Sequence, residues 1–198
     1  MTKIKTVCGF GINDANYEVQ TMCYSEGKVV RVHTCPYYSR WYDMIRRCYN
    51  KRALSKRNSY EKVTVCEDWA VFSKFKDWMS KQDWENKVLD KDLLSGIEYS
   101  PTTCLFIPES VNVFIKDRVK NKANKRGSYY HSRDKVYESY CSNPFTKRLE
   151  YLGRFKNEDD AHNAWKVRKL ELCLEFHDRG IINKTILDLL VDYIYKVV

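Results

Sequence analysis

The sequence predicts an α+β protein built from short β-strands and amphipathic α-helices, and two patterns in the chain support this class. Apolar residues alternate with polar ones in short segments near both ends of the chain, which is the spacing of half-buried strands. Elsewhere they recur every three or four residues, which is the spacing of one helix face. The 198 residues are 43% hydrophobic and 14% aromatic, enough to form the core of one large or two small domains.

The N-terminal segment, residues 1–35, is predicted to form a β-hairpin. Alternating apolar residues at 17–24 and 28–33 indicate two strands, and Ser25-Glu26-Gly27 between them is a typical turn. The preceding stretch Gly9-Phe10-Gly11-Ile12-Asn13-Asp14 is rich in Gly, Asn and Asp. This composition favours a tight turn over a ligand-binding loop.

The central segment, residues 36–115, is predicted to contain helices at 38–49 and 68–81, a strand at 63–66 and a helix that begins near Pro108. In the first helix, the apolar residues at i, i+3, i+4 and i+7 share one face: Trp41, Met44, Ile45 and Cys48. Arg46 and Arg47 lie outside this face, where they are candidates for phosphate contacts.

Between Tyr37 and Phe114, aromatic, cysteine and carboxylate residues follow one another in an order that resembles the HNH-type (ββα-metal) endonuclease-like proteins of bacteriophages. The residues that carry this resemblance are Trp41, Met44, Arg47, Cys48, Asn50, Tyr60, Val65, Cys66, Trp69, Phe72, Phe75, Leu89-Asp90-Lys91-Asp92, Tyr99-Ser100-Pro101, Cys104 and Asn112. The resemblance implies an HNH-like module over 36–115, with a carboxylate pair on a β-hairpin and Asn112 on the helix that follows.

The Asp90-Lys91-Asp92 motif departs from the HNH pattern at the position of the general base. An active HNH nuclease carries a histidine directly after the first carboxylate, where this chain has Lys91. The resemblance implies that Asp90, Asp92 and Asn112 hold Mg²⁺, a hard cation that prefers oxygen ligands. Lys91 would serve as the base only if burial kept it neutral. Three interpretations stay open: an atypical metal site, an inactivated nuclease retained for DNA binding, and a purely structural hairpin.

Four cysteines in or beside the HNH-like region raise the question of a second metal: Cys35, Cys48, Cys66 and Cys104. Some ββα-metal proteins hold a structural zinc ion. However, no two of these cysteines have the close spacing of a zinc-ligand pair, and free cysteine is among the residues most often buried. We therefore favour core packing of the four thiols, with a Zn²⁺ site as the alternative.

Residues 116–127 are predicted to form a basic linker. The stretch KDRVKNKANKR at 116–126 carries six cations and one acid, with few apolar residues to bury. Two interpretations stay open, a solvated connector and an arm that contacts phosphates.

The C-terminal segment, residues 128–198, is predicted to form strands at 128–131, 136–141 and 148–155, followed by helices at 158–176 and 185–196. The sequence LGRF, followed by EDDAHNAW at the start of the first helix, is similar to the AP2-type DNA-binding domain. The resemblance implies a three-stranded sheet that contacts double-stranded DNA while the helix packs behind it. By position it places these residues on the DNA side: Tyr129, His131, Arg133, Tyr140, Lys147, Tyr151 and Arg154.

Charge and the two resemblances together predict the partner. A net charge of +9 and a pI near 9.1 favour polyanions, because neutralised phosphates release counterions. We expect a phage-encoded protein that binds double-stranded DNA and resembles HNH homing endonucleases. Cleavage with a divalent metal is one interpretation, and a catalytically inactive protein that regulates or protects a locus is the alternative. A third interpretation is an inhibitor that binds an acidic protein through its basic surface.

The apolar runs of the chain are short. None reaches the roughly 18 residues that a membrane span needs, and the first residues do not have the pattern of a signal peptide. We therefore expect no membrane partner, reduced cysteines and a location in the cytoplasm of an infected bacterial host. The oligomeric state is not predicted.

Overall fold

The computed structural model describes residues 6–55, 62–116 and 124–196 and confirms the α+β class. The strands are β1 (Thr6–Val7), β2 (Gly11–Ile12), β3 (Gln20–Ser25), β4 (Lys28–Thr34), β5 (Thr64–Val65), β6 (Lys87–Asp90), β7 (Glu98–Tyr99), β8 (Leu105–Pro108), β9 (Ser128–His131), β10 (Val136–Asn143) and β11 (Arg148–Phe155). The helices are α1 (Pro36–Tyr49), α2 (Lys51–Leu54), α3 (Phe72–Ser80), α4 (Glu109–Ile115), α5 (Glu158–Asp178) and α6 (Lys184–Lys196).

The chain divides into two compact units, Met1–Phe106 and Ile107–Val198. The sequence pattern grouped α4 with the central segment, whereas its contacts place it in the C-terminal unit. Two features of the sequence lie outside the described residues. They are Tyr60, which belongs to the HNH-like order, and residues 117–123 of the basic linker.

In the N-terminal unit, β3 and β4 form the predicted antiparallel hairpin. Glu26 and Gly27 at its turn both have positive φ angles, 50° and 75°. This is the geometry of the tight two-residue turns whose twist matches that of the flanking strands. The other sheets of this unit are short pairs, β1 with β2 and β5 with β7, while β6 pairs with β8.

The core of the N-terminal unit forms where α1 packs on α3. The predicted apolar face of α1 is buried, and Trp41 and Ile45 have no exposed surface. Phe72 and Phe75 of α3 pack in the same core. The indole Nε1 of Trp41 donates a hydrogen bond of 2.7 Å to the carbonyl of Trp69, so the polar atom of this side chain is satisfied although it is buried.

The helix predicted at 68–81 is divided in two. Asp68–Ala70 form a 3₁₀ turn, Val71 is extended with φ −95° and ψ 123°, and α3 begins at Phe72. Val71 forms a parallel β-bridge with Ile12, far away along the chain. The apolar period of this segment carries no sign of that pairing, so periodicity alone predicted a continuous helix.

The glycine-rich stretch at 9–14 serves the packing of the N-terminal unit. Gly11 lies against the ring of Trp41, where an added Cβ would come within 2.8 Å of Cζ2. Asp14 accepts hydrogen bonds from the backbone N–H and the hydroxyl of Ser73, at 2.9 and 2.5 Å. Burial alone would raise the pKa of Asp14, but the hydrogen bonds from Ser73 prevail and lower the pKa. The stretch therefore holds the start of α3 in place.

In the C-terminal unit, three antiparallel strands in the order β11-β10-β9 pack against α5. The sequence pattern predicted these three strands and this helix. The side chain of Asn157 caps this helix, because its Oδ1 accepts a hydrogen bond of 2.9 Å from the backbone N–H of Asp160. Three acidic residues in the first turn complement the positive end of the helix dipole.

α4 is held by α5 and α6 of the same unit. The ammonium of Lys169 on α5 donates a hydrogen bond of 2.9 Å to the Phe114 carbonyl and lies 3.6 Å from the centre of the Phe114 ring. The hydroxyl of Tyr193 on α6 donates to the Ile115 carbonyl at 3.2 Å. These two carbonyls are at the C-terminal end of α4, where intrahelical donors are lacking, so both bonds fix the end of the helix.

Candidate nucleic-acid interface

The sheet of the C-terminal unit has one face against α5 and one open face. On β10, Ser139, Cys141 and Asn143 are buried, and the residues between them point the other way because side chains alternate along a strand. The cross-strand register then assigns the following residues to the open face: Tyr129, His131, Glu138, Tyr140, Ser142, Leu149, Tyr151 and Arg154. The structure thus brings together five of the residues predicted for DNA contact, Tyr129, His131, Tyr140, Tyr151 and Arg154.

Three tyrosine rings form a row across the open face, one from each strand. The centroids of Tyr129 and Tyr140 are 5.5 Å apart and nearly perpendicular, and those of Tyr140 and Tyr151 are 5.3 Å apart. Tyr151 exposes 54% of its surface, whereas a side chain of this size is normally covered. Tyr151 offers exposed stacking surface and a phenolic hydroxyl for hydrogen bonds to phosphate or sugar, and Tyr129 and Tyr140 are half-buried in the same row.

Arg154 is held between two carboxylates on this face. Its guanidinium contacts Glu138 at 2.9 Å and Asp134 at 3.2 Å. The second oxygen of Glu138 accepts a hydrogen bond of 2.9 Å from the Tyr140 hydroxyl. The Tyr140 hydroxyl and the Arg154 guanidinium together lower the pKa of Glu138, so this carboxylate is charged at neutral pH. Arg154 therefore brings less net positive charge to the open face than the sequence alone indicated.

Arg133 and Lys147 lie in the two turns that border the open face, and both are exposed. Lys147 has a φ angle of 57° in the turn between β10 and β11. Neither side chain takes part in an ion pair with another residue of the described ranges. Their positive charges are therefore free to meet an anionic partner.

Arg154 has acidic partners on the open face that were not predicted from the sequence. Strand alternation was the signal that could have found Glu138, since it stands two positions before Tyr140 on the same strand. Asp134 lies in the turn between β9 and β10. Its contact with Arg154 depends on how the β9–β10 turn folds back over β11, which the pattern does not contain.

Asp90 is the last residue of β6, and Lys91 and Asp92 lie in the turn that follows it. One oxygen of Asp90 accepts a hydrogen bond of 2.9 Å from the backbone N–H of Leu93. The ammonium of Lys91 donates to Asp92 at 2.5 Å and to the Gly96 carbonyl at 3.3 Å. Lys91 is 8% exposed, so the burial required of a catalytic lysine is present. These two contacts are to hydrogen-bond acceptors, however, which favours a role of Lys91 as a donor that holds the turn.

Asn112 lies on α4 and belongs to the C-terminal unit, whereas the other three predicted catalytic residues belong to the N-terminal unit. Its side-chain oxygen Oδ1 is buried and accepts no hydrogen bond from any described residue. An unpaired buried acceptor costs free energy, and binding of a cation or a donor removes that cost.

The predicted Mg²⁺ ligands fit the ion only in part. The Asp90 carboxylate accepts a hydrogen bond from the Leu93 N–H, and the Asp92 carboxylate is engaged by the ammonium of Lys91. Within the described ranges, no group of three or more His, Cys, Asp or Glu side chains is arranged to hold a metal ion. A bound Mg²⁺ would supply charge stabilisation at the leaving oxygen of a cleaved phosphodiester.

The four cysteines considered for zinc are placed in the N-terminal unit as packing residues. Cys35, Cys48 and Cys104 are buried, and Cys66 is half-buried. Burial raises the pKa of the Cys48 and Cys104 thiols to about 12 each, and it raises that of Cys66. Zinc binds the thiolate form, so these surroundings favour the packing interpretation.

Arg46 and Arg47 occupy the last turn of α1. Arg46 is exposed, while Arg47 is half-buried and is engaged in an interaction. On the same helix, Arg40 donates a hydrogen bond of 3.1 Å to the carbonyl of Lys87 and so links α1 to β6. Of the two predicted residues, Arg46 is thus the one whose side chain is accessible to a phosphate.

Comparisons with known proteins did not identify a relative of this chain. Neither the protein-family models, nor the curated proteins, nor the solved structures gave a match to this chain. None of the helices in the described part of the chain combines the length and the apolar character that crossing a membrane requires.

Proposed function

We propose that this protein binds double-stranded DNA through the open face of its C-terminal sheet. The observation that carries the proposal is the row of Tyr129, Tyr140 and Tyr151 between two turns that present Arg133 and Lys147. Aromatic hydroxyls and unpaired cations on one exposed face are the groups that contact phosphate and sugar in protein–DNA complexes. The net charge of +9 adds a long-range attraction to the polyanion.

We further propose a class for this protein, from the two sequence resemblances. The HNH-like order between Tyr37 and Phe114 and the AP2-like sequence after β10 support a phage-encoded protein related to homing endonucleases, acting in the cytoplasm of an infected bacterium. In this proposal Arg133 and Lys147 position the duplex through its backbone, and His131 and Arg154 approach the base edges. Because Arg154 is shared with Glu138 and Asp134, backbone contacts contribute more to affinity than base readout.

The duplex-binding proposal is tested by removing single cations at the border of the open face. Arg133→Ala and Lys147→Ala are each expected to lower duplex affinity several-fold and to decrease the slope of log K against log salt by about one, because each loses one phosphate contact. Fluorescence anisotropy with a labelled duplex across a salt series measures both quantities.

The matched control for these variants is Lys184→Ala on α6. Lys184 is exposed and paired with Asp188 at 2.7 Å, and it is not part of the sheet. Its replacement is expected to leave affinity and salt slope unchanged. Equal losses in all three variants would show that overall charge, and not the open face, attracts the DNA.

Metal-dependent DNA cleavage is the second candidate function, and the unpaired Oδ1 of Asn112 favours it. We expect supercoiled plasmid to be nicked with Mg²⁺ or Mn²⁺ and not with chelator. Asp90→Asn keeps the acceptor for the Leu93 N–H but removes the charge, so it is expected to abolish nicking and to spare duplex binding. Asn112→Ala is expected to do the same.

Asp83→Asn is the control for cleavage, since Asp83 is exposed and paired only with Lys87 in the described ranges. It is expected to retain full activity. If the unmodified protein shifts the plasmid in a gel without nicking it under any metal, the chain is a DNA-binding protein without nuclease activity. If nicking persists in Asp90→Asn, the acidic turn is not the active site.

A further inference from the structure

A large cleft opens within the C-terminal unit, between α4 and one end of the sheet. Its volume is about 1000 Å³. The walls come from α4, including Ser110 and Val113, and from the sheet at the start of β9, the end of β10 and the start of β11. This volume is at the upper end of the range for sites that bind small molecules and cofactors. The cleft is too small for a duplex and large enough for a nucleotide.

The cleft is lined by more positive than negative charge. Five cationic side chains and one carboxylate line it: Lys116, Lys125, Arg126, Lys147, Arg148 and Glu109. Lys125 is paired with Asp159, so its charge is already compensated. The other four cations form no ion pair with a residue of the described ranges. This excess favours an anionic ligand, and a phosphate group is the ligand that such a cluster binds most readily.

The floor of the cleft is fixed to α5 by a set of hydrogen bonds. The backbone N–H of Lys125 donates to Glu158 at 2.6 Å, and the ring Nδ1 of His162 contacts the Arg126 carbonyl at 2.7 Å. The hydroxyl of Ser128 also donates to Glu158, at 3.0 Å. Glu158 and His162 are one helical turn apart and face the same side. This part of the cleft wall is thus held in place by α5, which reduces the entropy lost there when a ligand binds.

Tyr129 and Tyr140 give the cleft an aromatic wall. Both rings line the cleft and also belong to the tyrosine row of the open face. A phosphate site next to a partly exposed aromatic ring matches one nucleotide, whose phosphate meets the cations while its base stacks on the ring. Since the two tyrosines are shared, the cleft continues directly from the surface on which we place the duplex.

We propose that the cleft binds one unpaired nucleotide of a DNA strand, with the phosphate at Lys147 and Arg148 and the base at Tyr129 and Tyr140. This inference rests on the proposed duplex binding, which brings the strand to the cleft. It adds a substrate class, a duplex joined to a single strand or carrying an extruded nucleotide. Base–aromatic stacking contributes enough affinity to be measured as a difference between two otherwise identical DNA molecules.

The test compares a blunt DNA hairpin with the same hairpin carrying a short single-stranded extension. The extended hairpin is expected to bind about tenfold more tightly, the effect of one stacked base. Val113→Glu places a negative charge in the cleft and is expected to abolish this gain without changing the affinity for the blunt hairpin. Val167→Glu is the matched control, because Val167 is a similarly exposed valine on α5 that does not line the cleft.

Further measurements distinguish a free nucleotide from a DNA strand as the ligand of the cleft. They also distinguish failure of the cleft inference from failure of the duplex-binding proposal. Free deoxynucleoside monophosphate is expected to compete with the extension and not with the blunt hairpin. Equal affinity for both hairpins, or a gain that survives Val113→Glu, overturns the cleft inference and leaves duplex binding intact. A third result is also informative: the protein binds single-stranded DNA but not the blunt hairpin, and Val113→Glu loses this binding. It supports the cleft inference and overturns the proposed duplex function.

Discussion

Replacement of Gly127 by alanine is expected to destabilise the C-terminal unit by roughly 2–5 kcal/mol. Gly127 has a φ angle of 76°, and an added Cβ would come within 2.1 Å of Cγ of Trp165. The left-handed backbone conformation costs an alanine about 1–2 kcal/mol, and overpacking of a filled core costs about 1–3 kcal/mol. Both penalties apply at this one position.

Trp165 has little freedom to relieve the clash. It is 3% exposed, it stacks on the ring of His162 with centroids 5.5 Å apart, and the Lys169 ammonium lies 5.7 Å from its ring centre. A shift of Gly127 instead would break the hydrogen bond of 3.0 Å from the Tyr140 N–H to the Gly127 carbonyl. The strain therefore passes to the cleft and to the open face, and duplex binding is expected to weaken together with stability.

Gly180→Ala is the control that isolates the clash with Trp165. Gly180 follows α5 with a φ angle of 67°, and an added Cβ there meets no atom within 4 Å. It therefore has the backbone penalty of about 1–2 kcal/mol alone. Chemical denaturation of both variants measures the difference. Equal losses of unfolding free energy would mean that Trp165 repacks at no cost.

Short-range patterns in the sequence were sufficient for the C-terminal sheet. β9 and β11 have the predicted bounds, and β10 extends only two residues past Cys141. The three tyrosines were singled out by the resemblance to AP2-type domains. Strand alternation explains why the structure puts them on one face, because side-chain direction in a strand depends on position along it.

Contacts between residues far apart in the sequence could not be predicted from such patterns. Lys169 reads as a surface residue of a helix, yet it is 1% exposed and holds the end of α4. The bridge between Val71 and Ile12 and the contact of Gly127 with Trp165 likewise join segments that no local period relates. The Asp90-Lys91-Asp92 motif likewise gave no sign that the ammonium of Lys91 engages the carboxylate of Asp92.

Trp41→Ala is expected to lower the unfolding free energy of the N-terminal unit by about 3–5 kcal/mol, the usual cost of emptying an aromatic core site. Trp41 is fully buried between Phe72 and Gly11, and its indole is the hydrogen-bond donor to the Trp69 carbonyl. The helix that carries it also holds β6 through Arg40, so the acidic turn loses its support as well.

A double-mutant cycle with Gly11 tests whether this loss arises from the packing seen here. Gly11→Ala alone is expected to destabilise, because its Cβ would lie 2.8 and 2.9 Å from Cζ2 and Cη2 of Trp41. Phenylalanine lacks those two atoms, so Gly11→Ala is expected to destabilise the protein less in the Trp41→Phe background. Trp41→Phe itself is expected to lower the unfolding free energy by about 1–3 kcal/mol, because it leaves the buried Trp69 carbonyl without its donor. In chemical denaturation, the double variant should lose less unfolding free energy than the two single variants lose together. Additive losses would mean that Gly11 does not face Trp41 in the folded protein.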